Sequence, residues 1–358
     1  MKTQLSALAA AAMLSALPSA AQAVKPLFPL APPVVSTIPA NGDVNPYGVA
    51  FVPRGVLPGG LLEPNDILVS NFNNAQNLQG TGTTIIRVSA HNGPSTFFQG
   101  QPGLGLTAAL AVLRNGVVLV GNLPTTDGTS NTARPGSLLV IDRNGKLLGA
   151  LADPNLIDGP WGMAVLDEGN AAAVFISNVL SGTITRLELV ISDNGESVTV
   201  RRATQIGSGF AHRTDPAALV LGPSGLAFDA ANDVLYVADS DDNTIYAIPN
   251  AATLTGSAGT GTPVYHDAVH LHGPLDLALA PNGHLLVANS DGSNADPNQP
   301  SELAEFTVQG QFVAQFPIDP NNGGAFGLAV SPLGAGGLRV AAVDDNANTL
   351  TVWGVPLN

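Results

Sequence analysis

Short apolar runs, broken every few residues by Gly, Pro, Asn or Asp, recur along the whole chain in one arrangement. A Gly/Pro turn leads into an apolar run, a second turn follows, and a second apolar run ends in Asn or Asp. The first copy reads Asn45-Pro46-Tyr47-Gly48-Val49-Ala50-Phe51, then Ile67-Leu68-Val69-Ser70-Asn71. The next clear copies run from Gly159-Pro160-Trp161-Gly162 to Val174-Phe175-Ile176-Ser177-Asn178, and from Gly222-Pro223-Ser224-Gly225 to Leu235-Tyr236-Val237-Ala238-Asp239. Two more run from Gly273-Pro274-Leu275-Asp276 to Leu285-Leu286-Val287-Ala288-Asn289, and from Gly324-Ala325-Phe326-Gly327 to Leu338 through Asp344. A degenerate copy, Leu110-Ala111-Val112-Leu113 with Val117 through Asn122, lies between the first two.

Each pair is followed by two further strand-like runs, such as Thr244 through Ile248 and Pro263-Val264-Tyr265. Four short strands per repeat, with turn residues between them, describe the blade of a β-propeller. The second strands are nearly continuous apolar runs, as expected where both faces of a sheet are covered by neighbours. The predicted fold is therefore all-β: a six-bladed β-propeller over residues 34–358. Its blades fall at roughly 46–100, 105–152, 158–212, 221–268, 273–317, and 322–356 plus 34–39. The last repeat has only three strands, so Val34 through Ile38 is expected to supply the fourth and close the ring.

Composition narrows what such a ring does. The net charge is −14, from 27 acidic and 13 basic residues, which argues against nucleic acid and anionic lipid as partners and favours a cationic ligand or a metal ion. With no cysteine, disulfides, thiolate nucleophiles and Cys-ligated zinc are excluded. Residues 1–23 read as a cleaved signal peptide: Lys2, an apolar stretch from Leu5 to Leu17, and the cleavage signature Ala21-Gln22-Ala23. Residues 24–33 read as a Pro-rich leader. The expectation is an extracytoplasmic protein, periplasmic or secreted, soluble, monomeric and without membrane insertion. Its partner would be a small molecule or an extracytoplasmic protein.

The repeats, Pro223-Ser224-Gly225-Leu226-Ala227-Phe228 with Leu235 through Ile245 above all, resemble those of NHL-repeat propellers and of the related gluconolactonase-like six-bladed propellers. The resemblance spans about 45–353. It implies the six-bladed fold, and either a binding module or an enzyme. For the gluconolactonase-like branch it implies calcium held by an early Glu together with Asn and Asp from different blades. Glu63 is the acid of that type near the first blade.

The residues ending the six second strands, Asn71, Asn122, Asn178, Asp239, Asn289 and Asp344, are candidate ligand-binding groups on one face of the ring. Asp239, Asn289 and Asp344 are the candidate metal ligands, because hard oxygens suit calcium. The alternative is structural: Asn and Asp at strand ends commonly close turns through backbone N–H groups. His272, beside Gly273-Pro274, is the candidate general base; His266 and His270 are close to it in sequence. Asp291, Asn294 and Asp296 lie in a long polar loop with a partial calcium-loop spacing. No nucleophile elbow, Walker loop or zincin motif is present. Two functional readings follow: a propeller binding a ligand or partner on this face, and a calcium-dependent, lactonase-like hydrolase or lyase acting at the axis.

Overall fold

The computed structural model describes residues 34–89, 92–290, 302–334 and 336–357. The signal peptide, the leader, His91 and the Asp291–Asp296 segment lie outside the described residues.

The chain opens with β1 (Val34–Ser36). Blade 1 follows: β2 (Val44–Phe51), β3 (Ile67–Asn73), β4 (Thr84–Ser89) and β5 (Gly93–Gln99). Blade 2 has β6 (Leu106–Val112), β7 (Val118–Asn122), β8 (Ser137–Ile141) and β9 (Leu147–Leu151), with a 3-10 turn at Ser130–Thr132. Blade 3 has β10 (Pro160–Asp167), β11 (Ala171–Asn178), β12 (Thr183–Ile191) and β13 (Val198–Ser208). A two-stranded ribbon, β14 (Arg213–Asp215) and β15 (Leu219–Leu221), leads into blade 4: β16 (Pro223–Asp229), β17 (Val234–Asp239), β18 (Thr244–Pro249) and β19 (Thr262–His266). Blade 5 has β20 (Pro274–Leu279), β21 (His284–Asn289), β22 (Glu302–Thr307) and β23 (Phe312–Pro317). Blade 6 has β24 (Ala325–Leu333), β25 (Gly337–Asp344) and β26 (Thr349–Pro356).

Each blade is an antiparallel sheet in chain order, and β1 pairs with β26 to make the fourth strand of blade 6. The all-β, six-bladed ring closed by the N-terminal strand is thus the observed architecture. The paired part of the closing strand is shorter than the expected Val34–Ile38. Beyond Ser36 the contact continues as one bond, Thr37 N–H donating to Asn348 O at 2.9 Å. The ribbon β14–β15 is not foreshadowed by any apolar alternation, since its strands are three residues each.

Cores form between neighbouring blades rather than within them. Leu68, Ile85 and Phe98 of blade 1 pack against Leu110, Val118 and Val120 of blade 2, and this interface recurs around the ring. Strand β3 is accordingly buried at all seven positions, whereas the outer strand β9 is half exposed. The second strands end on one face, called the top here, where the inner strands begin.

All six inner strands carry a register irregularity at this top end, as between Pro46 and Val49, Pro160 and Met163, and Ala325 and Leu328. A bulge re-aims the side chains beside it. Here it turns Tyr47, Trp161, Leu275 and Phe326 towards the axis. The glycine that follows is required by packing, not by turn geometry. A Cβ on Gly327 would lie 1.7 Å from Tyr47 O, and one on Gly162 1.9 Å from Ser224 O. A belt of hydrogen bonds links the blades at this level. Ser70 donates to Thr107 O, Thr107 to Pro160 O, Ser177 to Ser224 O and Ser224 to Pro274 O, at 2.6–2.8 Å. In blade 5 Asp276 occupies the glycine's position, and its carboxylate accepts Leu328 N–H of blade 6 at 2.8 Å. Burial pushes that carboxyl up to about 7, against the two backbone N–H groups that hold it.

Candidate functional site at the propeller axis

The bulge residues floor a pocket of about 250 Å³ at the top of the axis. Tyr47, Trp161, Leu275 and Phe326 line it together with Val220 and Leu221 from the ribbon. Tyr47 is the centre of the floor: it stacks on Phe326 at 4.6 Å between ring centroids and meets Trp161 edge-on at 5.4 Å. Phe72 lies behind both, 4.9 Å from Tyr47 and 5.3 Å from Trp161. Such pairs stabilise beyond their buried area, so the floor is a rigid surface.

Loops from three blades roof part of it. The blade 1 loop after β3 reaches the ribbon, where Gln79 Nε2 donates to Ala217 O at 3.1 Å. The blade 2 loop supports it from outside, with Thr125 N–H donating to Gly80 O at 3.0 Å. Short polar segments close over the axis here because each loop's backbone groups find partners in the next loop.

The polar lining includes Asn45, Asn73 and Asp345. Asn45 and Asn73 are 7% and 1% exposed, and the Oδ1 atom of each is buried without a hydrogen-bond partner. Asn73 Nδ2 donates to Asn77 Oδ1 at 2.7 Å, which fixes that amide. Asn45 has a left-handed backbone, φ 61°, a conformation Asn tolerates better than most residues. Asp345, on the turn after β25, completes the set. Its N–H donates to Gly324 O, while its carboxylate accepts no hydrogen bond among the described residues. Burial, and then the Asp344 charge, push the Asp345 carboxyl up to about 7. Burial and Asp345 likewise raise the Tyr47 hydroxyl well above its usual range. Among the described residues, no Lys, Arg or His lines the pocket.

The six strand-end residues surround this pocket without lining it; Asn73, Ser290 and Asp345, one or two positions further on, do so instead. The four asparagines clamp their own blades. Asn178 Nδ2 donates to Leu156 O, Thr183 Oγ1 and Thr185 Oγ1, each at 3.1 Å, and its Oδ1 accepts Asp158 N–H at 3.0 Å. Asn289 repeats the scheme with His270 O, Glu302 Oε1 and His272 N–H. Asn122 donates to Leu104 O and accepts from Ser137. Asn71 donates to Thr37 O and Thr84 Oγ1, but its Oδ1 has no partner.

Both aspartates hold their local turns, and Asp344 also bonds the Asp319 side chain. Asp239 accepts Asp241 N–H at 2.9 Å and Asp344 accepts Ala347 N–H at 3.3 Å. Burial, reinforced by Asp242, pushes Asp239 up to about 8; burial, reinforced by Asp319, pushes Asp344 up to about 6.

His272 is 4% exposed, with Nε2 3.1 Å from Val269 O, and is not part of the pocket lining. His270 is held separately, by Asp267 at 2.7 Å and over the Phe312 ring, and His266 contacts Thr244 Oγ1 at 2.8 Å. Glu63 lies in the turn between β2 and β3, at the opposite end of the blade from the pocket. Among the described residues, no group of three or more His, Asp or Glu side chains is arranged to hold a metal ion. No described helix is long and apolar enough to cross a membrane.

The aromatic floor was missed by reading the strand ends. Its signal was the residue before the bulge glycine, which is Tyr47, Trp161 and Phe326 in three of the repeats. In a chain with 5% aromatics, three rings at one repeat position mark a surface with a purpose.

Fold and pocket together define a six-bladed β-propeller with a roofed axial cavity. Solved structures of the same fold include a gluconolactonase of Xanthomonas campestris (TM-score 0.53, 12% identity, 94% of this chain and 99% of that one). They also include a luciferin-regenerating enzyme (TM-score 0.52, 11% identity, 91% and 95%). A third is a regucalcin of Agrobacterium tumefaciens, described as a calcium-binding protein (TM-score 0.51, 14% identity, 93% and 99%). At these identities the likeness establishes the gluconolactonase- and regucalcin-like propeller architecture. No protein-family profile and no curated protein sequence matches the chain.

Proposed function

We propose that this protein is an exported, monomeric propeller that binds a small ligand in its axial pocket, without chemistry of its own. The observation that carries this reading is the roofed axial cavity itself, lined by Tyr47, Trp161 and Phe326 together with Asn45, Asn73 and Asp345, where the Oδ1 atoms of Asn45 and Asn73 have no hydrogen-bond partner. Buried polar atoms are rarely left unsatisfied, and a bound donor would satisfy both. The roof between Gln79 and Ala217 favours a small molecule over a protein partner. A thermal-shift screen of small metabolites on residues 24–358 tests it. Binders should raise the melting temperature of the wild type and leave Ala218→Phe, which fills the cavity, unmoved. Equal shifts in both proteins would place binding elsewhere.

The calcium-dependent, lactonase-like reading rests on the shared architecture. Its donor set fits poorly here. The axial pocket offers one carboxylate, Asp345, and the early glutamate, Glu63, is at the other end of the blade. Calcium takes six to eight oxygens, several of them usually carboxylate. Thermal unfolding in EDTA and in millimolar calcium separates the two readings. Superimposable transitions are expected. A calcium-specific rise of several degrees, as about 2.7 kcal/mol of binding would give, supports the metalloenzyme.

A further inference from the structure

We propose, building on the axial pocket as the binding site, that its ligand is a small organic cation: an ammonium held by the Asp345 carboxylate and the amide oxygens of Asn45 and Asn73, with its hydrocarbon part on Tyr47, Trp161 and Phe326.

Three independent observations converge on this chemistry. The first is the donor and acceptor inventory. Asn73 and Gln79 spend amide N–H groups on Asn77 Oδ1 and Ala217 O, while the Asp345 carboxylate adds an acceptor with no hydrogen bond among the described residues. An ammonium donates and cannot accept, which is the complement of that lining. A carboxylate or phosphate ligand would meet the Asp345 carboxylate, with no Lys, Arg or His among the described lining residues to balance it. The second is the floor. Aromatic rings beside a carboxylate bind cations through ring quadrupole and charge together, and they reward an apolar body that water would not. The third is the distribution of charge over the whole ring. Of the described lysines and arginines, Arg134 and Arg213 alone sit on top-face loops, and Arg213 is paired with Asp215 and Asp241 at 3.1 and 3.0 Å. Arg54, Arg114, Arg143 and Lys146 lie in turns at the opposite face. The top carries Asp239, Asp241 and Asp242 in blade 4 and Asp319, Asp344 and Asp345 in blade 6. A one-signed rim around a low-dielectric cleft concentrates ions of the other sign at its mouth.

The energetic logic is that of an unfinished ion pair. Asp345 is desolvated, its nearest charged neighbour is Asp344, and no described cation offsets either. A bound ammonium supplies the missing counter-charge and lowers the carboxyl towards its ordinary range, so binding is accompanied by proton release near neutrality.

The experiment is calorimetric titration of the mature protein with choline and with phenethylammonium, each beside its neutral carbon isostere, 3,3-dimethylbutan-1-ol and 3-phenylpropan-1-ol. At least one cation is expected to bind saturably and about tenfold or more tighter than its isostere. In Asp345→Asn, whose replaced side chain makes no hydrogen bond in the fold, that preference should disappear. Isosteres that bind as tightly as the cations, a preference unchanged in Asp345→Asn, or silence from both cations each overturn the proposal. Neutral binding that is lost in Ala218→Phe removes the cation assignment and keeps the axial pocket as the binding site. Binding of any probe that survives Ala218→Phe removes the pocket as well.

Discussion

At the same turn of every blade, four second strands end in Asn and two in Asp, and the two sets do different work. The asparagines are bilateral clamps. Each amide reaches back to the segment entering its blade and forward to the third strand, as Asn178 does with Leu156 O and Thr185. A carboxyl lacks the amide's two N–H donors, so Asp239 and Asp344 do not reach back and forward as the asparagines do, and their burial disfavours the charged form. The axial residues beside them, Asn45, Asn73 and Asp345, carry the same functional groups and line a cavity, with the Oδ1 atoms of Asn45 and Asn73 left unpartnered. Identical chemistry thus separates into scaffold and site by one question: whether the fold itself supplies the partner.

The largest test of that contrast removes a partner of the scaffold. Deleting residues through Ile38 takes away the β1–β26 pairing, the Thr37–Asn348 bond and the acceptor of Asn71. About four hydrogen bonds at about 1 kcal/mol each make a loss of about 4 kcal/mol, read as a lowered urea midpoint. An unchanged midpoint would mean the ring does not depend on this closure.

Next in size, Asn178→Ala breaks a clamp with four hydrogen bonds and leaves the part-buried Asp158 N–H without its acceptor, while Leu156 O keeps Thr185 Oγ1. A cost of about 3 kcal/mol is expected in the same unfolding experiment, with ligand affinity unchanged per folded molecule.

Asp239→Asn should act in the opposite direction. Asp239, Asp276, Asp344 and Asp345 all have carboxyls raised above the usual 3.8, to about 8, 7, 6 and 7. For a raised acid the folded state prefers the protonated form. The stability it gives is fully present below about pH 4 and is lost as pH rises through the folded value. The melting temperature is therefore expected to fall between about pH 5 and 8. In Asp239→Asn the fall should be shallower, with a gain of about 1 kcal/mol or more at pH 8. Acids held low, such as Asp267, whose hydrogen bonds from Tyr265 and His270 outweigh its burial, weaken the fold only in more acidic solution. A melting temperature that rises from pH 5 to 8 would contradict the unpaired state of these carboxylates.

The blades were legible because their cause is local. Apolar runs at β-spacing, cut by Gly and Pro, specify strands and turns, and even the strand that closes the ring could be inferred because the last repeat has three strands and lacks a fourth. The six top-face strand ends were legible for the same reason. Their engagement was not, because it depends on which backbone groups of the previous connector fall within reach. Asn71 and Asn178 show this well: the Oδ1 of one has no partner, that of the other accepts Asp158 N–H, and no feature of the second strand announces the difference. The pocket floor depends on a bulge at the head of each inner strand, which shifts the inward-facing position by one residue, beyond what alternation alone specifies. The ribbon β14–β15 that helps wall the cavity has too few residues to leave a periodic trace.

The most direct single measurement uses the pocket's own chromophore. Trp161 lies in the pocket floor, and the other tryptophan, Trp353, sits in the third strand of blade 6. In a Trp353→Phe background, choline or phenethylammonium should produce a saturable change in Trp161 emission that is abolished by Ala218→Phe and retained in Asn178→Ala. A response that persists in Ala218→Phe, or that is lost in Asn178→Ala while the protein remains folded, would place the ligand at the strand-end ring and not at the axis.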